Sequence, residues 1–207
     1  MGNDMIEKFT EQEMAVAVEM INRGLDRAAV SLKMILNSAI EVTNVDFDIA
    51  VLNDEPQYSS KTDDKIHILR TELAGELRGI CHLIFTSDEV EKIYTKCLPE
   101  SVINSDNDDA QVMRLELLKE IDNIMAASVI TEFANSLDVG IYGNVPSLHI
   151  MEANEVNKYI HAESVTLSPL IQFSSVFHTD DIDIKSDFIW LLEEEFIQKI
   201  KNLALSK

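Results

Sequence analysis

Two long stretches of the chain have apolar residues spaced three and four positions apart, the pattern of an amphipathic helix. The first begins near Thr10, where Thr10-x-x-Glu13 fits a capping box. Its apolar positions are Met14, Val18, Ile21, Leu25, Ala28, Leu32 and Ile35. The second covers 110–137, and its apolar face contains Leu118, Ile121, Met125, Val129 and Phe133. The spacing predicts that each long helix buries one face against the rest of the molecule.

Outside these helices the apolar residues form shorter runs, several of them alternating, which predicts strands. The predicted strands are 39–52, 65–73, 78–86, 139–150 with a break at Pro146, 170–178 and 183–192. Shorter helical segments are predicted at 87–98, 154–162 and 193–203. The polar stretch that ends at Asp64 predicts a loop.

The order of long helix, strand, further strands and short helix occurs twice along the chain. The sequence therefore predicts an α/β (α+β) fold, a pseudo-twofold repeat of a long helix plus antiparallel strands, with the helices packed on a shared β-sheet. We expect a single domain over 1–207, made of repeats at about 10–99 and 110–207. The acidic, Asn-rich tract 101–109 is the predicted linker between them.

Both long helices carry the same polar pair, Glu19-x-x-Asn22 in the first and Glu120-x-x-Asn123 in the second. A spacing of three places the carboxylate and the amide one turn apart on the same helix face. A single pair carries little information, because it occurs by chance on solvated helix faces. Its recurrence at the same place in a repeat makes Glu19, Asn22, Glu120 and Asn123 the candidate catalytic residues.

The composition excludes several classes of protein. A formal charge of −20, from 37 acidic and 17 basic residues, argues against binding to nucleic acid or to an anionic membrane. The acidic surface either aids solubility or steers a partner that has a basic site. The five histidines and two cysteines lack metal-site spacing. The chain begins without a signal-peptide pattern and has no apolar stretch of membrane-spanning length, so we expect a cytoplasmic protein.

The second polar pair has a longer pattern around it. Exactly 22 residues, 124–145, separate Asn123 from Pro146. This arrangement resembles the CheC/CheX/FliY family of chemotaxis phosphatases, whose motif is Glu-x-x-Asn followed by 22 residues and a proline. The segment Glu120-Ile121-Asp122-Asn123-Ile124 is similar to the family's Glu-Ile-Gly-Asn-Ile core, with Asp122 replacing the glycine. Two copies resemble CheC, or FliY, more than CheX, which carries one.

The first copy departs further from this motif. Val45 stands where the proline would fall, and Arg23 stands where the core has an apolar residue. Family members often have Asp or Ser four residues before the glutamate, whereas this chain has Ala15 and Glu116 there. The second copy is therefore the better candidate for an active site, and the first resembles a degenerate or structural pair.

The resemblance implies a phosphatase that hydrolyses the aspartyl-phosphate of a CheY-type response regulator. Asn123 would hold the attacking water, and Glu120 would pair with a lysine of the partner. The Mg²⁺ would belong to the partner, and this chain would bind no cofactor. Asp122 would either repel the phosphoryl group or face solvent.

Two alternatives to the phosphatase stay open at this point. The first is a binding module of the same fold, with little or no activity, that docks a response regulator, a CheD-type deamidase or a flagellar switch component. The second is an unrelated α/β protein in which both polar pairs occur by chance.

Overall fold

Helices and strands follow one another along the chain in the order that the apolar spacing predicts. The computed structural model describes residues 9–51, 58, 65–163, 167 and 169–206. The helices within them are α1 (Glu11–Leu36), α2 (Ser87–Cys97), α3 (Glu100–Ile103), α4 (Asp108–Leu137), α5 (Ala153–Glu163) and α6 (Glu194–Ser206). The strands are β1 (Glu41–Val51), β2 (Lys65–Gly75), β3 (Gly79–Thr86), β4 (Ile141–Gly143), β5 (Ser147–Glu152), β6 (Pro169–His178) and β7 (Asp183–Leu192).

These elements confirm the predicted long helices, short helices and strands, including the break at Pro146 between β4 and β5. The predicted linker tract contains most of α3 and the first residues of α4. The predicted loop that ends at Asp64 lies outside the described residues, apart from residue 58.

Within the described residues, seven strands form one antiparallel sheet in the order β1-β6-β7-β3-β2-β4, with β5 also paired to β2. The order is symmetric about the junction of β7 and β3. A twofold operation there exchanges β3 with β7, β2 with β6, and β1 with the β4–β5 edge. The paired residues His82 and Ile189 lie near this junction. The fold is therefore the predicted pseudo-twofold repeat on a shared sheet.

The larger core lies between one face of the sheet and the helices α1, α2, α4 and α6. A second, smaller cluster lies on the opposite face, where α5 covers it with Val156 and Ile160. Alternate residues of the central strands face the two clusters, as the period of a strand requires. In the part of the chain that is described, no helix is long and apolar enough to cross a membrane.

A partly buried ionic contact fixes the end of α5 to the sheet. The Glu163 carboxylate accepts from Arg70 Nε at 2.5 Å and lies 2.6 Å from His82 Nε2. His82 is fully buried, and its Nδ1 donates to the carbonyl oxygen of Ile189 at 2.9 Å. The contact therefore positions α5 over the smaller cluster.

The helices α1 and α4 pack directly on each other, which places both polar pairs on one helix layer. Thr10 and Glu13 form the predicted capping box, with Thr10 N donating to Glu13 Oε2 at 2.7 Å. The helix backbones lie close together at Gly24, where a Cβ would lie only 2.6 Å from Val129 Cα. Only a residue without a side chain fits at this crossing.

Candidate functional site

The second copy of the polar pair is accessible to a partner. Glu120 and Asn123 are both exposed on the outer face of α4, one turn apart. Ile121 between them is buried, so the helix turn is anchored in the core while the two polar side chains remain in solvent. A carboxylate and an amide thus lie on one exposed surface, where a second molecule can contact both.

The position of Asp122 differs from both expectations, that its carboxylate repels the phosphoryl group or that it faces solvent. It is fully buried, and its Oδ2 accepts a hydrogen bond from Thr71 Oγ1 of β2 at 2.7 Å. Successive helix residues are about 100° apart, so Asp122 points to the sheet when Glu120 and Asn123 point to solvent. Its carboxylate therefore neither faces solvent nor lies beside the exposed pair.

The burial of Asp122 changes its protonation. Desolvation raises the pKa of Asp122 to about 7, against the opposing effect of the hydrogen bond from Thr71. The other oxygen, Oδ1, has no hydrogen-bond partner among the described residues. Burial, together with the Asp122 charge, raises the pKa of the Cys81 thiol well above its usual range. The buried face of the motif helix therefore carries a carboxyl group that loses its proton near neutral pH.

An open groove lies beside Asn123 on the outer face of the helix pair. It has a volume of about 560 Å³ and its lining comprises Arg27, Val30, Ser31, Asn123, Ile124, Ala127, Ser128 and Thr131. The α1 wall supplies a cation, Arg27, whose Nη2 lies 3.2 Å from Glu132 Oε2. A partner group that reaches Asn123 therefore meets a positive charge on the opposite wall.

The first copy has a different environment, although Glu19 and Asn22 are also exposed on α1. Arg23 forms an ion pair with Glu19 one turn away and lies 3.2 Å from Glu132 Oε1 of α4. The hydrogen bond to Glu19 is the main cause that raises the pKa of the Arg23 guanidinium. The Glu132 side chain is only 4% exposed. Carboxylates and guanidinium groups thus bridge the two helices beside Asn22.

Sequence reasoning missed Glu132, since no local pattern marks it. It lies 109 residues from Arg23, and only the packing of α4 on α1 brings the two together. The sequence signals that the first copy had changed were Arg23 in place of an apolar core residue and Val45 in place of the proline.

The proline of the motif is buried and interrupts the sheet edge between β4 and β5. Its first-copy equivalent, Val45, lies where the register of β1 against β6 shifts between Asn44 and Asp46. Such a shift marks a β-bulge or a similar irregularity. Both edge strands are therefore interrupted at the same place, by a proline in one repeat and by a bulge-type irregularity in the other.

A metal site does not emerge from the residues that the structure describes. They contain no group of three or more His, Cys, Asp or Glu side chains that could hold an ion. Cys81 is buried and Cys97 is half-buried at the end of α2.

Comparisons with known proteins give a match in fold. No family profile and no curated protein sequence matches the chain. Among solved structures, FliY from Thermotoga maritima is similar with a TM-score of 0.72 and 17% identity, covering 97% of this chain and 100% of that one. The FliM middle domain from Vibrio alginolyticus is similar with a TM-score of 0.57 and 14% identity, covering 90% and 99%.

CheX from Borrelia burgdorferi, solved in a complex with CheY, BeF₃ and Mg²⁺, is similar at a TM-score of 0.50. It is 14% identical and covers 84% of this chain and 98% of that one. These matches span nearly the whole chain and confirm the predicted fold class. The fold is therefore not an unrelated α/β fold, and whether the two polar pairs have a function is a separate question. The chain therefore has the fold of FliY, CheX and the FliM middle domain, which is the fold that the resemblance of its repeated motif implies.

Proposed function

We propose that this protein is a phosphatase that hydrolyses the aspartyl-phosphate of a CheY-type response regulator. The observation that carries the proposal is the exposed pair Glu120 and Asn123, one turn apart beside an open groove. The fold supports it, since CheX, which has a similar fold, was solved in a complex with CheY, BeF₃ and Mg²⁺.

The chemistry needs few groups from this chain. In the hydrolysis, a water oxygen attacks phosphorus, the bond to the aspartate oxygen breaks, and the products are inorganic phosphate and the free carboxylate. Phosphoryl transfer depends mainly on positioning and on neutralising charge. The Asn123 amide can donate to and accept from water, so it can orient the nucleophile without titrating. Glu120 would make a charge-assisted contact with a lysine of the partner. The Mg²⁺ at the acyl phosphate would be supplied by the partner.

The decay of a phosphorylated CheY-type receiver, measured with and without this protein, tests the proposal. Wild type should accelerate the decay, and Asn123→Ala should lose about 10²–10³-fold of that acceleration. Asn22→Ala is the matched control and should behave as wild type, because the first copy lies beside the Arg23–Glu132 bridge. Equal decay with and without wild type would contradict the phosphatase function.

A second candidate function is a binding module that docks a response regulator or a CheD-type deamidase without hydrolysis. The ionic bridge at the first copy favours it, because it shows that one of the two polar pairs has acquired another environment. The similar fold of the FliM middle domain supports a related alternative, a binding module that docks a flagellar switch component. Capture of a phosphorylated receiver without faster decay would decide for this candidate.

A further inference from the structure

The rims of the two motif copies differ in polarity. A shift of 101 positions takes Glu19 to Glu120 and Asn22 to Asn123. Beside the second copy, α1 presents Val30 and Met34, which are 74% and 86% exposed. The same shift takes Val30 and Met34 to Thr131 and Asn135 of α4, which are also exposed but polar, and Thr131 lines the α4 side of the same groove. The rim that α1 presents is therefore apolar, and the equivalent rim on α4 is polar.

Val30 and Met34 are one turn apart on the same face of α1. Val30 also lines the groove next to Asn123. Large apolar side chains at this exposure are common singly, but a pair beside a candidate site marks a surface for a partner. The rim and the groove thus form one continuous surface with the polar pair.

The grooves of the two copies differ as well. At the second copy, Ser31 and Ile124 line the open groove. Their equivalents at the first copy are Glu132 and Arg23, which approach each other to 3.2 Å across the helix pair. Where the second copy has open space between two small or apolar side chains, the first has an ion pair.

We propose that each chain binds a single phosphorylated receiver domain, on a docking surface formed by Arg27, Val30 and Met34 of α1 with Glu120 and Asn123 of α4. The inference rests on the proposed function, and it adds the surface, the number of partners and the reason for that number. The first copy is not a docking surface, because Arg23 forms ion pairs there with Glu132 of α4 and with Glu19.

The charges of the docking surface fit a receiver domain. Arg27 is a cation on a chain of net charge −20, and it lies across the groove from Asn123, where a phosphoryl group would enter. Its ion pair with the buried Glu132 holds it in the groove wall. Glu120 supplies the opposite charge for a lysine beside that phosphoryl group. Val30 and Met34 would pack on an apolar part of the receiver surface, where desolvation contributes most to affinity.

Isothermal titration of the full chain with a receiver domain carrying beryllofluoride and Mg²⁺ tests this inference. Wild type should bind one receiver per chain. Val30→Thr with Met34→Asn gives α1 the residues of the polar rim, and should weaken binding by about tenfold or more. Both side chains are exposed, so the variant should keep the wild-type circular dichroism spectrum and melting temperature.

Two controls use residues outside the docking surface. Asn135→Met gives α4 the matching apolar side chain and should leave affinity and stoichiometry unchanged. Leu205→Asn removes an apolar side chain that is 82% exposed on α6 and should also leave both unchanged. Binding of two receivers per chain, or unchanged affinity in the Val30/Met34 variant, would overturn the inference.

The outcomes separate this inference from the proposed function. Binding of one receiver that depends on Val30 and Met34, without faster phosphate release, would support the docking surface and remove the phosphatase. Faster decay with wild type, together with unchanged affinity in the Val30/Met34 variant, would support the phosphatase and remove the docking surface. A wild type that binds no receiver would overturn both.

Discussion

At the scale of single residues, the motif combines two solvent-exposed side chains with one that is withdrawn from water. Glu120 and Asn123 face solvent, whereas Asp122 between them is buried against Thr71. A buried carboxyl group with one oxygen lacking a partner among the described residues is costly when it is ionised. The motif turn therefore carries a source of pH-dependent instability directly beneath the proposed site.

The raised pKa of Asp122 predicts how stability depends on pH. In the folded state the pKa is about 7 rather than 3.8, so between these values the folded chain holds a proton that the unfolded chain has released. The free energy of unfolding therefore falls as pH rises through this window, by on the order of 4 kcal/mol in total. Asp122→Asn cannot ionise and should lose less stability between pH 5 and pH 8. Urea denaturation at a series of pH values measures this slope.

The control for this experiment is Asp26→Asn, which removes a carboxylate from an exposed position of α1. It should keep the wild-type slope. If Asp122→Asn also keeps that slope, the buried carboxyl group is not the source of the pH dependence.

At the scale of elements, the contact between α1 and α4 decides the shape of the candidate site. The helices are in close backbone contact at Gly24, two residues after Asn22. Their separation sets the width of the groove beside Asn123 and allows Arg23 to reach Glu132. A change in the crossing would therefore alter both motif copies together.

Gly24→Ala is predicted to destabilise the protein, although alanine is the better helix former by about 1 kcal/mol. The added Cβ would lie 2.6 Å from Val129 Cα, a backbone atom that cannot rotate away. Overpacking of this kind typically costs about 1–3 kcal/mol. Urea denaturation should show a lower midpoint, and Gly24→Ala with Val129→Ala should remain below Val129→Ala alone. A gain in stability would mean that the helices separate without cost.

The edge strands show how much of an element a sequence pattern can reveal. Pro146 lacks a backbone N–H, so the break between β4 and β5 could be predicted from its identity alone. Nothing in Val45 predicts the irregularity at the equivalent place in β1. That feature depends on how β1 pairs with β6, more than 120 residues later in the chain.

At the scale of the whole molecule, charge is the dominant feature. The chain has 37 acidic and 17 basic residues, and the excess negative charge repels itself in the compact state. Ion pairs such as Lys96–Asp181 offset only part of this repulsion. The melting temperature should therefore rise as NaCl is increased from about 0.02 M to 0.5 M, because the screening length falls from about 20 Å to a few ångströms.

Differential scanning calorimetry measures this dependence. Potassium chloride at equal ionic strength should give the same rise, since screening does not depend on the identity of a monovalent cation. A melting temperature that is constant or falls with salt would show that specific ion pairs outweigh the general repulsion.

The sequence by itself determined the elements and the exposed polar pairs. Helix and strand periods are local properties, and the spacing between Glu120 and Asn123 fixes their common face whatever the helix packs against. The repeat in element order and the spacing from Asn123 to Pro146 were sufficient to predict the fold class. These features need only the geometry of a few neighbouring residues.

Only the tertiary structure decided which residues of other elements lie against each helix. The burial of Asp122 depends on β2, and the bridge from Arg23 to Glu132 depends on the crossing of α1 and α4. These contacts join residues that are 51 and 109 positions apart. Charge and hydrogen bonding act through space, so two copies of one local motif acquired different surroundings. The sequence shows that the two copies differ by substitutions. Because these contacts form only in the folded chain, the tertiary structure was needed to show what the substitutions do.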